Sequence, residues 1–288
     1  MNLGIFICFR LFKTFDINTF QAIVINYVIC VVTGALFAGP RVVITTVDTS
    51  TPWFWIGVGL GLVFISTFYL MAIATQKFSI TVSSIAAKMS LVIPVLISLL
   101  VLGVVSKSYT PLNYLGMSLT LPAIILGSMK PRQIKTEVKG LLEFFMPIAV
   151  FLASGLIDST INYTNYNYLS SKEEAIFPIV TFFAAAVAGV SILIIKRDKL
   201  TMKNMVGGTI LGVVNYFSIY FLIRALSSFN NDGALVYPLT NVGLILISAL
   251  VSIILFREKV TKLNVAGICL AIISILLISY QELFHNGI

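Results

Sequence analysis

Successive apolar runs of about 20 residues dominate this chain of 288 residues, and short basic or Gly/Pro/Asn-containing turns separate them. In a bilayer each run must satisfy its own backbone polar groups, so runs of this length predict membrane-spanning α-helices. Charged residues make up only 10% of the chain, whereas a soluble domain carries roughly 25%. The sequence therefore predicts an all-α integral membrane protein in contact with the lipid bilayer.

About ten helices are expected, and the first is short. At ~1.5 Å per residue, Met1–Phe12 covers about 18 Å of a hydrocarbon layer of about 30 Å. This segment is expected to be half of a first helix, or a helix that starts upstream of Met1. The remaining helices are predicted at 18–38, 53–75, 80–104, 111–128, 144–168, 174–195, 205–227, 234–256 and 262–280.

The second part of the chain repeats the first part without a gap, at a constant spacing of 151 positions (267 − 116). The matches include polar and small residues as well as exchangeable Leu and Ile. They pair Gly57, Gly61, Tyr69, Thr110, Asn113 and Gly116 with Gly208, Gly212, Tyr220, Thr261, Asn264 and Gly267. Thr110 and Thr261 are expected to cap their helices. A duplication is the best explanation, with one repeat at 1–139 and the other at 140–288 in one membrane domain.

Five helices per repeat have a geometric consequence. The second repeat enters the membrane from the opposite face, so the two repeats are expected to be inverted. Inverted repeats are typical of alternating-access transporters, whose substrate site lies near the midplane between the repeats.

The net charge of +8 needs no nucleic-acid partner, because basic residues in loops follow the positive-inside rule. In the loops and at the adjoining helix ends, 14 basic residues fall on one face and 3 on the other. This bias predicts a multi-pass protein of the cytoplasmic (inner) membrane with both termini outside. Cys8, Cys30, Cys269 and His285 lack metal or redox spacing, so no metal or cofactor is expected.

The ends of the two repeats, Pro94–Ser128 and Ala234–Ser279, carry family-like features. Glu258 and Gly267 match a pattern in which a Gly-Glu pair closes the fourth helix of a repeat and the next helix has an early Gly. Lys107 stands opposite Glu258 in the first repeat. The chain resembles EamA-type transporters of the drug/metabolite transporter superfamily. The resemblance implies efflux or exchange of small metabolites, and it implies cytosolic termini, opposite to the charge count.

Two charged residues are predicted inside apolar spans. A charge at the bilayer centre costs ~2.5–3.5 kcal/mol on insertion scales, so such residues are functional candidates. Asp158 lies on a polar stripe with Ser154, Asn162 and Asn165, spaced i, i+4, i+8 and i+11. Lys88 lies about nine residues into another helix. We expect the stripe to face a cavity or a partner rather than lipid.

The sharper hypothesis is that Lys88 and Asp158 face a shared substrate site. Lys88 would hold a carboxylate or phosphate, and Asp158 would hold an amine or carry the coupling proton. The alternative is a structural ion pair or two side chains that reach separately towards water. Further substrate-binding candidates are Asn162, Asn215, Tyr237 and Asn241, although interhelical bonds are equally common uses of asparagine. Trp53 and Trp55 are expected to anchor a helix at the membrane interface.

These features favour a secondary active transporter, an exporter or exchanger of small polar metabolites such as amino acids or drugs, acting as a monomer or homodimer. A flippase of lipid-linked sugars or lipids is the alternative. An intramembrane enzyme is less favoured, because no HExxH motif and no Ser/His pair occurs in the sequence. We therefore expect no enzymatic activity.

Overall fold

The computed structural model describes residues 2–93, 110–128, 141–170, 172–197, 199–228, 233–257 and 260–281. These ranges are largely helical and contain no β-strand. The helices are α1 (Asn2–Thr14), α2 (Thr19–Ala38), α3 (Pro40–Thr46), α4 (Pro52–Lys77), α5 (Ile80–Lys88), α6 (Pro111–Ser128), α7 (Leu141–Tyr168), α8 (Phe177–Lys196), α9 (Met202–Ser228), α10 (Gly233–Ile254) and α11 (Lys262–Ile278), with a 3-10 turn at Met89–Leu91.

Five described segments are long and apolar enough to cross a membrane: α2, α4, Phe145–Asn165 of α7, α8 and Met202–Ala225 of α9. Three shorter apolar segments are Pro111–Gly127, Thr240–Ile254 and Lys262–Ile278. The expected all-helical membrane protein is confirmed at this level. The short helix α3 was not predicted. Pro94, Lys107, Glu258, His285 and the linker at 129–140 lie outside the described residues.

The chain forms two compact units, and each takes helices from both predicted repeats. The first unit comprises Met1–Ala72 and Thr160–Asn231, and the second comprises Ile73–Ser159 and Asp232–Ile288. Two helices contribute to both units, because one boundary falls within α4 and the other within α7.

Small residues bring α2 and α9 into close contact in the first unit. A Cβ added to Gly212 would lie 2.7 Å from the carbonyl oxygen of Asn26, so only glycine allows this approach. Aromatic rings fill the space beside this contact. Tyr27 and Phe182 have ring centroids 5.8 Å apart, and Phe68 lies 5.7 Å from Tyr27. The unit is therefore held by close helix contacts and aromatic packing.

The start of α2 is tied to the start of α9 by amide side chains. Asn18 caps α2 by accepting a hydrogen bond from the Gln21 backbone N–H at 3.1 Å. The backbone N–H of Asn18 donates to Asn204 Oδ1 at 3.0 Å, and Asn204 Nδ2 donates to Gln21 Oε1 at 2.6 Å. These bonds satisfy donors that the first turn of a helix leaves free.

Helices α6 and α11 pack against each other in the second unit through matching contacts. Asn113, at the start of α6, donates from Nδ2 to the Ile278 carbonyl at the end of α11, at 2.8 Å. Asn264, at the start of α11, donates from Nδ2 to the Gly127 carbonyl at the end of α6, also at 2.8 Å. The start of each helix therefore meets the end of the other, so the two helices are antiparallel. The expected cap of α11 is confirmed, because Thr261 forms a capping box with Asn264.

The two tryptophans at the start of α4 have different environments. Trp55 is 63% exposed, and its indole N–H donates to the Thr49 carbonyl. Trp53 is only 1% exposed, and its indole N–H donates to Glu173 Oε1 at 3.1 Å. The expectation that Trp53 is an interfacial anchor is wrong, because Glu173 supplies the acceptor that lets the indole be buried.

Candidate functional site

Helix α5 is a short, buried helix of the second unit. Ser79 caps it by accepting a hydrogen bond from the Val82 backbone N–H at 3.1 Å, and every residue from Ile80 to Ala87 is buried. The α-helix ends at Lys88 and continues as the 3-10 turn Met89–Leu91. A 3-10 stretch in the course of a longer helix often marks a functional hinge. This joint between α5 and the turn is where the candidate site lies.

Side chains bond the two carbonyls at the joint. The Ser90 hydroxyl lies 2.6 Å from the carbonyl oxygen of Ala87. Asn241, on α10, donates from Nδ2 to the carbonyl oxygen of Lys88 at 3.2 Å. Ser90 is fully buried and Asn241 is 2% exposed. Buried carbonyls at a helix break need such donors, because an unpaired polar group away from water costs free energy.

Helix α7 brings a carboxylate to the same joint. Gly155 permits this approach, since a Cβ added there would lie 2.7 Å from Cβ of Ile93, just after the turn. One helical turn further on, Asp158 Oδ2 accepts a hydrogen bond from the Ser90 hydroxyl at 2.8 Å. Asp158 and Lys88 are both half-buried, and their opposite charges interact. The attraction between opposite charges lowers the cost of placing either charge in an apolar environment.

This arrangement combines four kinds of group in a small volume. It contains a cation, a carboxylate, a hydroxyl and an amide, from Lys88, Asp158, Ser90 and Asn241. The ammonium group can hold an anionic group of a ligand. The carboxylate can bind an amine or take up a proton. The site therefore has the chemistry to bind a small polar molecule and to carry a proton.

The sequence-predicted site residues are divided between the two units. Lys88, Asp158 and Asn241 lie together in the second unit, whereas Asn162 and Asn215 belong to the first. Asn162 is half-buried, and Asn215 is fully buried. The side chain of Tyr237 lies outside the described residues.

Asn215 takes part in a separate polar contact between α9 and α2. Its Nδ2 donates to Asn26 Oδ1 at 3.1 Å, and the Cys30 thiol donates to the Gly212 carbonyl at 3.2 Å. Within the described part of the chain, Asn215 Oδ1 is buried without a hydrogen-bond partner. These bonds join two helices of the first unit, which is one of the two roles considered for Asn215.

Sequence reasoning missed Ser90, which bonds Asp158 directly. A lone serine in an apolar run is typical of helix packing and gives no signal by itself. The repeat contains one signal, because Ser90 and Asn241 stand 151 positions apart and bond adjacent carbonyls of one joint. Sequence reasoning also missed a second contact between α5 and α10, where the hydroxyls of Ser84 and Ser248 lie 2.6 Å apart.

The first unit contains an apolar cavity of about 640 Å³ between α2, α3, α4 and α8. Aliphatic side chains and two phenylalanines line it, among them Val31, Val43, Leu62 and Phe183. Such a lining suits hydrocarbon rather than a charged solute. Within the described residues, no three His, Cys, Asp or Glu side chains are grouped so that they could hold a metal ion.

Comparison with known proteins supports the fold and leaves the activity open. No family model matches the chain. An uncharacterized protein of Haemophilus influenzae is 28% identical over 228 residues, which cover 77% of this chain and 74% of that protein. A protein of known crystal structure matches with a TM-score of 0.59 at 13% identity, over 96% of this chain and 94% of that one. The chain therefore shares its fold with a solved structure, and its apolar helices define a multi-pass membrane protein.

Proposed function

We propose that this chain is a secondary active transporter that exports or exchanges small polar metabolites, such as amino acids or drugs, across the cytoplasmic membrane. We further propose that it belongs to the EamA-type transporters that it resembles. One observation carries the proposal. At one helix break inside a unit built from apolar helices, Asn241 bonds the Lys88 carbonyl and Ser90 bonds the Asp158 carboxylate, whose charge interacts with that of Lys88.

The energetic cost of this site argues for a function. Two isolated charges at the bilayer centre would cost ~5–7 kcal/mol on insertion scales. Pairing reduces that cost, but an apolar pair of similar size is often equally or more stable in a protein interior. A role in binding or proton transfer explains why the chain retains both Lys88 and Asp158. Discontinuous helices also form the substrate sites of many transporters.

We propose ten membrane spans arranged as two inverted repeats. The reciprocal bonds of Asn113 and Asn264 support this arrangement, because repeat-equivalent residues make equivalent contacts between antiparallel helices. In many transporters this relation lets a central site open alternately to the two sides of the membrane.

Within this proposal the residues have distinct roles. Lys88 binds an anionic group of the substrate, and Asp158 binds an amine or carries the coupling proton. Asn241 stabilises the helix break by bonding the Lys88 carbonyl. Its amide oxygen and its second amide hydrogen can bond the substrate. Asn162, Asn215 and Tyr237 stay substrate-binding candidates on the sequence alone.

Uptake into proteoliposomes tests the proposal. Purified protein is reconstituted and assayed with a panel of radiolabelled amino acids, organic acids and cationic drugs, with and without an imposed pH gradient. We expect gradient-dependent transport of at least one class. We also expect Lys88→Ala to weaken apparent affinity by about 10- to 100-fold, the ratio for one charge-assisted bond. Asp158→Asn should abolish the response to the gradient.

Matched controls use charged residues away from the site. Asp48→Asn changes an exposed carboxylate whose pKa is lowered by hydrogen bonds from the backbone N–H and hydroxyl of Ser50. Lys203→Ala removes an exposed cation that pairs with Asp16 at 2.9 Å. Both control variants should transport like the wild type. Wild-type transport in folded Lys88→Ala and Asp158→Asn proteins would contradict the site assignment.

The apolar cavity of the first unit supports one alternative, a flippase of lipids or lipid-linked sugars. A cavity of about 640 Å³ with an aliphatic lining could hold part of an acyl chain. The same proteoliposomes distinguish the two functions when they contain a fluorescent phospholipid whose outer-leaflet fraction is measured by chemical quenching. Scrambling that Ala184→Trp blocks would favour the flippase, because Ala184 lines the cavity.

A further inference from the structure

The Ser90 hydroxyl faces two acceptors but carries one hydrogen. Its oxygen lies 2.6 Å from the Ala87 carbonyl oxygen and 2.8 Å from Asp158 Oδ2. A hydroxyl donates one hydrogen bond and accepts through its lone pairs. Ser90 is fully buried, so bulk water does not reach it to supply a second donor. The two acceptors therefore compete for the same hydrogen.

The protonation state of Asp158 decides this competition. An ionised carboxylate accepts a stronger hydrogen bond than a neutral carbonyl does, so Ser90 then donates to Asp158. When the carboxylate takes up a proton from water, the resulting carboxylic acid becomes a donor itself. Its O–H can donate to the Ser90 oxygen, which turns the Ser90 hydrogen to the Ala87 carbonyl. No covalent bond other than the new O–H bond of Asp158 is formed or broken.

We propose that Ser90 is a proton-linked positioning residue that transmits the charge state of Asp158 to the joint between α5 and the 3-10 turn. In the charged state the Ala87 carbonyl loses its side-chain donor, and the joint is weakened. In the neutral state the Ser90 hydroxyl bonds the Ala87 carbonyl, and the joint is strengthened. This inference rests on the proposed function for the role of Asp158 as proton carrier, but its physical basis is the geometry of Ser90.

The neighbouring groups make the joint asymmetric. Asn241 donates to the adjacent Lys88 carbonyl from an amide, which has no protonation change in the physiological range. Only the Ala87 side of the joint therefore responds to a proton. Among the described residues packed around Asp158, Lys88 is the charged group that interacts with it.

Hydrogen–deuterium exchange of the full chain in detergent micelles tests the proposal without a substrate. The measured segment is 85–93, which contains the amide of Met89, bonded to the Ile85 carbonyl. Asp158→Asn serves as the permanently uncharged reference. The wild type is measured across a pH series and corrected for intrinsic exchange. At high pH we expect the segment to exchange about fivefold faster in the wild type than in Asp158→Asn, the ratio for one lost hydrogen bond.

Three serine variants give the deciding comparison. In a Ser90→Ala background the difference between Asp158 and Asp158→Asn should vanish, whereas Ser90→Thr, which keeps the hydroxyl, should preserve it. Ser84→Ala is the matched control, since Ser84 is a buried serine of the adjoining helix α5 and bonds Ser248 instead. The difference should persist there.

Equal exchange in the wild type and Asp158→Asn at every pH overturns the proposal, and so does a difference that survives Ser90→Ala. These outcomes are independent of the transport assay. A Ser90-dependent difference without any transport would refute the proposed function alone. Proton-driven transport with equal exchange would refute only the role of Ser90.

Discussion

The contact between α6 and α11 predicts that two glycines cannot be replaced by alanine without a loss of stability. A Cβ added to Gly116 would lie 2.8 Å from both the Ser274 carbonyl oxygen and the Ile278 backbone nitrogen. A Cβ added to Gly267 would lie 2.6 Å from Cα of Gly127. These neighbours are backbone atoms, which cannot rotate away. The helices must therefore separate to accept the methyl group.

The cost follows from the required displacement. Ordinary contact begins at 3.4 Å, so the 2.8 Å contacts of Gly116 require a shift of about 0.6 Å. Overpacking of this kind costs ~1–3 kcal/mol. The shift also weakens the two 2.8 Å bonds of Asn113 and Asn264, each worth ~0.6 kcal/mol in a membrane protein. The expected loss of unfolding free energy is about 2–4 kcal/mol for either variant.

Gly243→Ala is the matched control in α10, because among the described residues no neighbouring atom lies within 4 Å of its added Cβ. Alanine raises helix propensity by ~1 kcal/mol in all three variants, so this gain cancels in the comparison. SDS-induced unfolding of the purified proteins in mixed micelles measures the differences. Equal stability of the three variants would show that the backbones of α6 and α11 are not in close contact.

Two further predictions concern the first unit. Trp53→Phe removes the buried donor to Glu173 and should lower the unfolding free energy by ~1–3 kcal/mol. The exposed Trp55→Phe should change it by less than about 0.5 kcal/mol. Equal thermal shifts of the two variants in detergent would contradict this prediction. Asn215→Leu removes the bond to Asn26 and should cost ~0.6–2 kcal/mol in SDS unfolding. An unchanged unfolding curve would show that this bond contributes nothing.

The sequence predicted the helices well because hydropathy alone determines where a chain can cross a bilayer. The helix predicted at 111–128, for example, is Pro111–Ser128 in the structure. It missed α3, whose seven residues are too short to produce a clear periodic signal. It also missed the end of α5 at Lys88, because the apolar pattern continues beyond it. One of the bonds that hold this break comes from Asn241, 153 residues away from Lys88.

The candidate site was only partly accessible to sequence reasoning. The sequence indicated Lys88 and Asp158 because charge is rare in an apolar span, and such charges usually pair with one another or face water. Ser90 was missed because serine is common in membrane helices. Polar character does not say which unit a residue joins. The sequence therefore did not show that Asn162 and Asn215 lie in the first unit while Asp158 lies in the second. The burial of Trp53 depends on Glu173, 120 positions away.

If the site of Lys88 and Asp158 couples the two movements, as we propose, each substrate that crosses the membrane is accompanied by a proton. Proteoliposomes that contain a trapped pH-sensitive dye test this coupling, when a substrate found by the uptake assay is added without an imposed gradient. We expect a substrate-dependent change in internal pH with the wild type and with Asp48→Asn. Asp158→Asn should move substrate without changing internal pH. A proton signal in Asp158→Asn as large as in the wild type would show that Asp158 does not carry the proton.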